Sequence, residues 1–142
     1  MSDNLNIFSP EAGSGIEIPL SDERVAAGFP SPADDYASLK LDLNRELIKN
    51  PASTFYARVS GLSMVDEGIN EGDLLVIDKS LEQRDGSLAV CYVDGEFTLK
   101  RFERHSEYGL LIPANKDFHP IKVTSENDFI IWGIVTYIIK KV

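Results

Sequence analysis

The sequence is poor in cysteine and in clustered positive charge. Its single cysteine, Cys91, excludes an internal disulfide and lies in an apolar run that predicts a buried strand. The 14 Lys and Arg residues stand against 23 Asp and Glu, giving a net charge of −9 with no dense basic run. Because DNA phosphates are bound by clustered cations, we expect no strong direct binding to DNA.

Long apolar runs are missing as well. No stretch approaches the ~20 residues that span a bilayer, and the chain does not open with a basic segment followed by an apolar one. We therefore expect a cytoplasmic protein that does not contact a membrane. At 142 residues the chain can bury one good core, without room for a second full domain beside it.

Histidine is scarce, and its positions favour the surface. His105 lies in a polar segment typical of a hairpin loop, and His119 directly precedes Pro120 at the start of a predicted strand. Two separated histidines and one cysteine do not form a recognisable set of metal ligands, so we expect no metal and no cofactor. A Ser/His or Cys/His hydrolase is the rival hypothesis that these residues leave open.

From Thr54 onward the chain alternates short apolar runs with turn signals such as Asp94-Gly95. Many short strands separated at regular intervals by turn residues predict a mainly β fold of antiparallel strands. The last run is apolar on both faces, which is typical of a strand that is central or covered by another subunit. The predicted strands are Thr54–Ser60, Asp73–Asp78, Ser87–Val93, Glu96–Phe102, Tyr108–Ile112, Ile121–Val123 and Phe129–Ile139.

The first 24 residues carry proline and glycine among scattered charges, without a sustained helical or strand period. We expect an extended arm here. Ile16, Ile18 and Leu20 alternate with polar or proline positions, a pattern that fits a strand added weakly to the body. Ala27 and Gly28 are small, which would let a backbone carbonyl approach a nucleophile closely, although an ordinary flexible hinge explains them too.

One short amphipathic helix is predicted after the arm. Pro32 is typical of a helix start, and Leu39, Leu43 and Leu47 recur at four-residue spacing. Asp42 could restart the helix as an N-cap. The leucine stripe indicates core packing, not a ligand site.

Ser63 stands at the end of a predicted strand, directly after Gly61-Leu62. The following residues fit one helical turn stopped by Gly68, which would leave the N–H groups of Ser63 and Met64 free to bind an oxyanion. A serine after glycine is also routine at turns and N-caps, and the local sequence favours that structural role. The nearby carboxylates, Glu67, Glu71 and Asp73, are interpreted as solvated turn residues around Gly68 and Gly72.

Lys100 lies on a predicted strand and shares its face with Thr98 and Phe102. A lysine placed among apolar groups loses the hydration that favours its ammonium form, and the neutral amine becomes a usable base. Such an amine could deprotonate Ser63. A solvated lysine on a sheet edge fits the pattern equally well, so the residues alone leave two hypotheses.

Three separated blocks, in this order, resemble the self-cleaving domain of the UmuD and LexA proteins, the serine-lysine peptidases (peptidase S24) of the SOS response. They are Ser60–Met64, Gly68–Leu75 and Asp94–Arg101. Near the start, Ala27–Tyr36 resembles the UmuD cleavage region, with the alanine that LexA and some plasmid-type UmuD relatives carry. The resemblance runs from about Val25 to the last residue and does not cover residues 1–24.

The resemblance implies twisted antiparallel sheets, one short helix and an extended N-terminal arm. Residues 1–27 would be an arm removed by self-cleavage, and residues 28–142 would form the peptidase and dimerisation domain. Ser63 would be the nucleophile and Lys100 its base, with the N–H groups of Ser63 and Met64 holding the oxyanion. Cleavage would fall between Ala27 and Gly28.

The resemblance also implies partners. They are a second copy of the chain, a RecA filament on single-stranded DNA that stimulates cleavage, and a UmuC-like Y-family polymerase served by the processed form in translesion synthesis. A signal peptidase would need a membrane anchor, and no apolar run of that length is present. A LexA-type repressor would need a helix-turn-helix domain ahead of the cleavage site, where only residues 1–27 are available, so we expect neither. The alternative from another class is a non-catalytic module that docks RecA or a polymerase, although a pure adaptor has no use for Ser63 with Lys100.

Overall fold

The computed structural model describes residues 4–9, 17–20 and 39–142. The chain divides into two compact units, residues 1–10 together with 50–142, and residues 11–49. None of the helices in the described ranges has the length and apolar character needed to cross a membrane.

The first unit is built on one antiparallel sheet, as the mainly β prediction requires. Its strands are β1 (Asn4–Phe8), β4 (Thr54–Ser60), β5 (Leu74–Asp78), β6 (Leu88–Val93), β7 (Glu96–Arg104), β8 (Gly109–Ile112), β9 (Ile121–Val123) and β10 (Phe129–Ile139), while β2 (Glu17–Leu20) and β3 (Leu39–Asp42) belong to the second unit. The strand order is β1-β4-β5-β10-β6-β7-β8-β9. Every strand predicted from Thr54 onward is confirmed, with bounds that agree within two residues.

The second unit contains a strand pair and the short helix. Strand β2 pairs antiparallel with β3 in a two-stranded sheet, so the strand predicted around Ile18 and Leu20 exists, but its predicted pairing with the body was wrong. Helix α1 spans Leu43–Leu47 and begins after Asp42, whose carboxylate accepts a hydrogen bond from the Asn44 N–H at 3.0 Å. The predicted N-cap is confirmed.

The predicted helix was too long at its start. Leu39 lies in β3, because pairing with β2 supplies backbone partners that local leucine spacing does not reveal. Helix α1 therefore keeps only the end of the predicted leucine stripe. Residues 31–38, where the prediction began, lie outside the described ranges.

Strand β1 was not predicted from the sequence. It pairs antiparallel with β4, from Asn4 opposite Ser60 to Phe8 opposite Tyr56. The sequence here predicts an arm without a sustained period, and the strand forms because β4 offers a row of backbone partners that are distant in sequence.

Two clusters of buried apolar side chains make up the core of the first unit. The first holds Ala57, Val59, Met64, Ile69, Leu75, Ile77, Leu88, Val90 and Leu99. The second holds Ala89, Cys91, Phe102, Leu111 and Val123, which confirms Cys91 as a buried core side chain. Met64 belongs to the first cluster, so the core anchors the turn that carries Ser63.

Strand β10 is central, as one of the two interpretations of its sequence required. It pairs with β5 on one side and β6 on the other, with register shifts between Ile131 and Gly133 and between Val135 and Tyr137. Apolar side chains near both ends of the strand remain exposed: Ile130, Tyr137, Ile138 and Ile139.

Candidate active site

Ser63 lies in a tight turn between β4 and a single 3-10 turn. Gly61 has φ +122° directly after β4, a backbone conformation that side chains rarely adopt. The 3-10 turn spans Val65–Glu67 and ends at Gly68 with φ +77°, which confirms the helical turn and its glycine stop. The N–H groups of Ser63 and Met64 therefore precede a helical turn, where they are not needed by its own hydrogen bonds.

The loop after β8 clamps this turn. The Ala114 N–H donates to the Ser63 carbonyl at 2.7 Å, and the Asp66 N–H donates to the Ala114 carbonyl at 2.7 Å. The Asn115 side-chain amide donates to the Leu62 carbonyl at 2.8 Å. These contacts fix the backbone on both sides of Ser63, whose side chain is buried. The local sequence of this loop does not indicate these contacts, because they join residues about fifty positions apart.

Lys100 approaches Ser63 from the middle of β7. Its Nζ lies 2.9 Å from Ser63 Oγ, and the two residues are only 2% and 1% exposed. Lys100 stands opposite Ala89 of the neighbouring strand β6, and its burial excludes the solvated edge lysine. The structure thus brings together the two side chains that the sequence singled out.

Thr98 lies beside Lys100, and no role was predicted for it from the sequence. Its Oγ1 lies 2.6 Å from Lys100 Nζ, and the residue is buried. Because alternate residues of a strand share one face, the Thr98-Leu99-Lys100 spacing already placed the hydroxyl beside the amine. A residue one or three places before Lys100 would lie on the opposite face of the strand. The two-residue spacing of Thr98 and Lys100 was therefore the feature of the sequence that indicated this contact.

An open groove borders the amine. Its volume is about 660 Å³, and its walls are lined by Leu62, Lys100, Asn115, Asp117, Phe118, His119, Pro120 and Ile121. Apolar surface predominates in this lining, and Lys100, whose Nζ lies 2.9 Å from Ser63 Oγ, is one of the lining residues. The groove therefore offers a ligand-sized space beside the Ser63–Lys100 pair.

The two histidines and the cysteine occupy different surroundings. His105 Nε2 lies 2.7 Å from a Glu103 carboxylate oxygen, and its ring stacks on Tyr108 at 4.7 Å. His119 is an exposed residue of the groove wall. Burial raises the pKa of the Cys91 thiol to about 12, so this thiol is a poor nucleophile.

Of the three carboxylates near the serine turn, Glu67 and Glu71 are exposed, as predicted, and Asp73 is buried. Glu67 is held by Arg101, whose Nη2 lies 2.8 Å from Glu67 Oε1. Asp73 is 7% exposed, accepts a hydrogen bond from the Asn70 N–H at 2.8 Å and pairs with Lys140. The prediction of ordinary solvated charges was wrong for Asp73, because a lysine distant in sequence neutralises it.

Ala27 and Gly28, the predicted cleavage position, lie outside the described residues. Among the residues that are described, no group of three or more His, Cys, Asp or Glu side chains is arranged to hold a metal ion.

Comparison with known proteins places this geometry in a family context. Residues 19–136 match the Peptidase S24-like family. The chain is 39% identical over 135 residues to the protein MucA of Salmonella typhimurium, covering 94% of this chain and 92% of MucA. It is 42% identical over 125 residues to the protein SamA of Salmonella typhimurium strain LT2, covering 87% and 85% of the two chains. It is also 42% identical over 118 residues to LexA repressor 1 of Xanthomonas oryzae, covering 83% of this chain and 58% of the repressor.

Proposed function

Because the chain belongs to the peptidase S24-like family, and to its UmuD-type members, we propose that it is a serine peptidase that cuts its own backbone. The observation that carries this proposal is the 2.9 Å separation of Ser63 Oγ and Lys100 Nζ in a buried site. A nucleophile and a base within hydrogen-bonding distance are the arrangement that activated serine requires. A purely adhesive module has no need of a buried amine against a buried hydroxyl.

In the reaction we propose, the uncharged amine of Lys100 takes the proton of Ser63 Oγ. The Oγ attacks the carbonyl carbon of Ala27, and the resulting oxyanion accepts hydrogen bonds from the N–H groups of Ser63 and Met64. Collapse of this intermediate breaks the bond to Gly28, whose nitrogen receives the proton held by Lys100. The products of this step are an ester between Ser63 and Ala27 and a free amino group on Gly28.

Water completes the cycle. The amine of Lys100, neutral again, removes a proton from a water molecule as its oxygen attacks the ester carbonyl. The ester bond breaks, Ser63 Oγ regains a proton, and Ala27 becomes a carboxylate. Residues 1–27 would then no longer be covalently linked to residues 28–142. We propose this cleavage point as the boundary between the arm and the peptidase domain.

The cellular role that we propose follows the UmuD type. A RecA filament on single-stranded DNA promotes self-cleavage, and the processed homodimer serves a UmuC-like polymerase in SOS translesion synthesis. Likeness to MucA and SamA over most of the chain supports this assignment. The exposed apolar residues Tyr137, Ile138 and Ile139 support a surface that a second subunit covers.

The proposal is tested by intact-mass measurement of purified protein held at alkaline pH, with and without RecA filaments. We expect two fragments, one ending at Ala27 and one beginning at Gly28. Ser63→Ala and Lys100→Ala should lower the rate by roughly 10²–10⁴ or more, since each removes a partner of the proton transfer. Ser106→Ala and Lys116→Ala, which change exposed residues of the same types, are the matched controls.

Thermal unfolding of each variant shows whether the fold survives the substitution. A wild-type chain that stays whole under both conditions would favour the non-catalytic docking module. Cleavage at the wild-type rate in folded Lys100→Ala protein would remove the proposed base.

A further inference from the structure

Strand β1 precedes the proposed scissile bond but belongs to the same compact unit as the peptidase body. It is the outermost strand of the sheet on its side, with β4 as its neighbour. Self-cleavage between Ala27 and Gly28 would cut the covalent link between these two strands. From then on, β1 would be held to the body by noncovalent contacts alone.

Those contacts are specific but few. Leu5 and Ile7 pack against the first core cluster, and the ring of Phe8 meets that of Tyr56 edge to face at 6.3 Å. A strand of this length is not stable in water without its partner, and its binding no longer benefits from the tether once the chain is cut. Release of the arm fragment is the expected consequence.

Departure of β1 changes the surface of the body. Strand β4 would become the edge of the sheet, with backbone N–H and C=O groups that β1 now pairs. Ala57 and Val59, at present 0% and 5% exposed, belong to the cluster that Leu5 and Ile7 cover. An open edge beside an uncovered apolar strip is a binding site for an extended chain.

We propose that removal of β1 turns β4 into a docking edge for an extended segment of a partner protein, which pairs antiparallel with β4 in the place of β1. The uncut chain is closed to this partner because its own strand occupies the edge. Partner binding at this edge is thereby coupled to self-cleavage, and this coupling rests on the proposed function.

The occupant's chemistry is defined by the strand it replaces. Aliphatic side chains are needed at the positions of Leu5 and Ile7, two residues apart, because these pack on the core. Between them, Asn6 is exposed and stands opposite Arg58, also exposed, whose Nη1 donates to the Gly72 carbonyl at 3.0 Å. An acidic residue at that position would face the guanidinium group, and opposite charges across a strand pair are stabilising. The edge therefore fits an aliphatic-acidic-aliphatic segment.

The edge can be tested without self-cleavage, in full-length protein carrying Ser63→Ala. Adding Leu5→Asp and Ile7→Asp detaches β1 by placing charges against the apolar cluster. The probe is a fluorescently labelled peptide of residues 3–9, and binding is read by fluorescence anisotropy. We expect saturable binding to the detached variant and binding weaker by about tenfold or more to Ser63→Ala alone, where the tethered strand competes. The control is Ser63→Ala protein carrying Asn6→Ser, which changes only the exposed face of β1. It should bind the peptide as weakly as Ser63→Ala alone.

The arginine is tested with a second peptide in which Asn6 is replaced by Asp. This peptide should bind the detached variant a few times more tightly than the first, and adding Arg58→Ala should abolish the difference. Equal binding of the first peptide to open and closed forms, or to neither, would overturn the docking edge. An advantage of the acidic peptide that survives in Arg58→Ala would overturn the assigned chemistry.

Hydrogen exchange on self-cleaved protein covers the case in which the charged variant does not fold. Amides of β4 should lose protection once the fragment of residues 1–27 has been separated, and regain it with the peptide. Unchanged protection of β4, or a fragment that stays with the body at nanomolar concentration, would contradict the inference. Absence of self-cleavage, by contrast, would count against the proposed function and leave the peptide test intact.

Discussion

At the scale of single residues, the site depends on three neighbouring buried side chains, those of Ser63, Thr98 and Lys100. Lys100 Nζ has two hydroxyl oxygens within hydrogen-bonding distance, those of Ser63 and Thr98. A neutral amine has two N–H bonds and one lone pair. If one N–H is donated to Thr98, the lone pair can face the Ser63 hydroxyl, so we infer that Thr98 orients the base.

Thr98→Val should therefore slow self-cleavage while leaving the fold unchanged. Valine keeps the shape of threonine but cannot accept the hydrogen bond, and the loss of roughly 1–1.5 kcal/mol corresponds to about a tenfold lower rate. Thr98→Ser, which retains the hydroxyl, should keep most of the activity. The measurement is the initial rate of fragment formation, and equal rates in both variants would show that Thr98 only fills space.

Ser63 and Lys100 show how far residue-level prediction reaches. Local sequence placed each at a plausible position but gave a structural explanation of equal or greater weight for both. The pair is separated by 37 residues in the chain, so no local pattern could bring the two side chains together. Burial of Lys100 on a central strand is the feature that only the assembled sheet determines.

At the scale of elements, Asp78 ties the entry of β4 to the end of β5. Its carboxylate accepts hydrogen bonds from Asn50 Nδ2 at 2.7 Å, Ser53 Oγ at 2.7 Å and Ser80 Oγ at 2.7 Å. Burial alone would raise the pKa of Asp78, but the hydrogen bonds from Asn50, Ser80 and Ser53 outweigh it and lower the pKa to about 2.

The lowered pKa of Asp78 predicts a loss of stability in acid. Because the folded value lies below the ordinary value of 3.8, the stabilisation is complete above about pH 4 and is lost as the pH falls towards about 2. The shift corresponds to about 2 kcal/mol of unfolding free energy. Urea unfolding across this pH range checks it.

Asp78→Asn should remove this part of the pH dependence, whereas Asp66→Asn, at an exposed carboxylate, should not. An Asp78→Asn protein that loses as much stability between pH 4 and 2 as the wild type would contradict the assignment.

Gly133 makes a second element-scale prediction, on strand β10. A Cβ atom at this position would lie 2.5 Å from Ile77 Cγ2, and Ile77 is fully buried. Gly133→Ala should therefore destabilise the fold by about 1–3 kcal/mol, as overpacked core substitutions do. Ile77→Leu removes the branched methyl group, so the double variant should lose less stability than the sum of the two single variants. Additive losses in chemical denaturation would show that the contact is not the cause.

Elements with a strong local signal were the predictable ones. Strands β4 to β10 alternate or run apolar between polar segments that contain turn residues such as Gly, Asp, Asn, Ser and Pro, and the sequence contains both signals. Strands β1 and β3 were not predicted, because the surrounding residues indicated an arm and a helix, and only the pairings with β4 and β2 show the strands. The leucine spacing that predicted a longer helix was real, but the pairing of Leu39 with Leu20 prevailed there.

At the scale of the whole molecule, the sheet order was beyond local prediction. Strand β10, the last in the chain, lies between β5 and β6, and β1, the first, lies beside β4. These long-range pairings bring the turn after β4 close to the middle of β7, which creates the site. A mainly β fold could be predicted from composition and from the turn residues that separate short apolar runs, whereas the neighbours of each strand in the sheet could not.

The molecule as a whole is proposed to work as one peptidase acting on its own leading segment, through an uncharged Lys100. The most direct test is the rate of self-cleavage as a function of pH, measured by intact mass on protein whose folding is verified at each pH. Because only the neutral amine can take the Ser63 proton, the rate should rise with pH and then level off. A rate that stays flat from neutral to strongly alkaline pH would contradict the account.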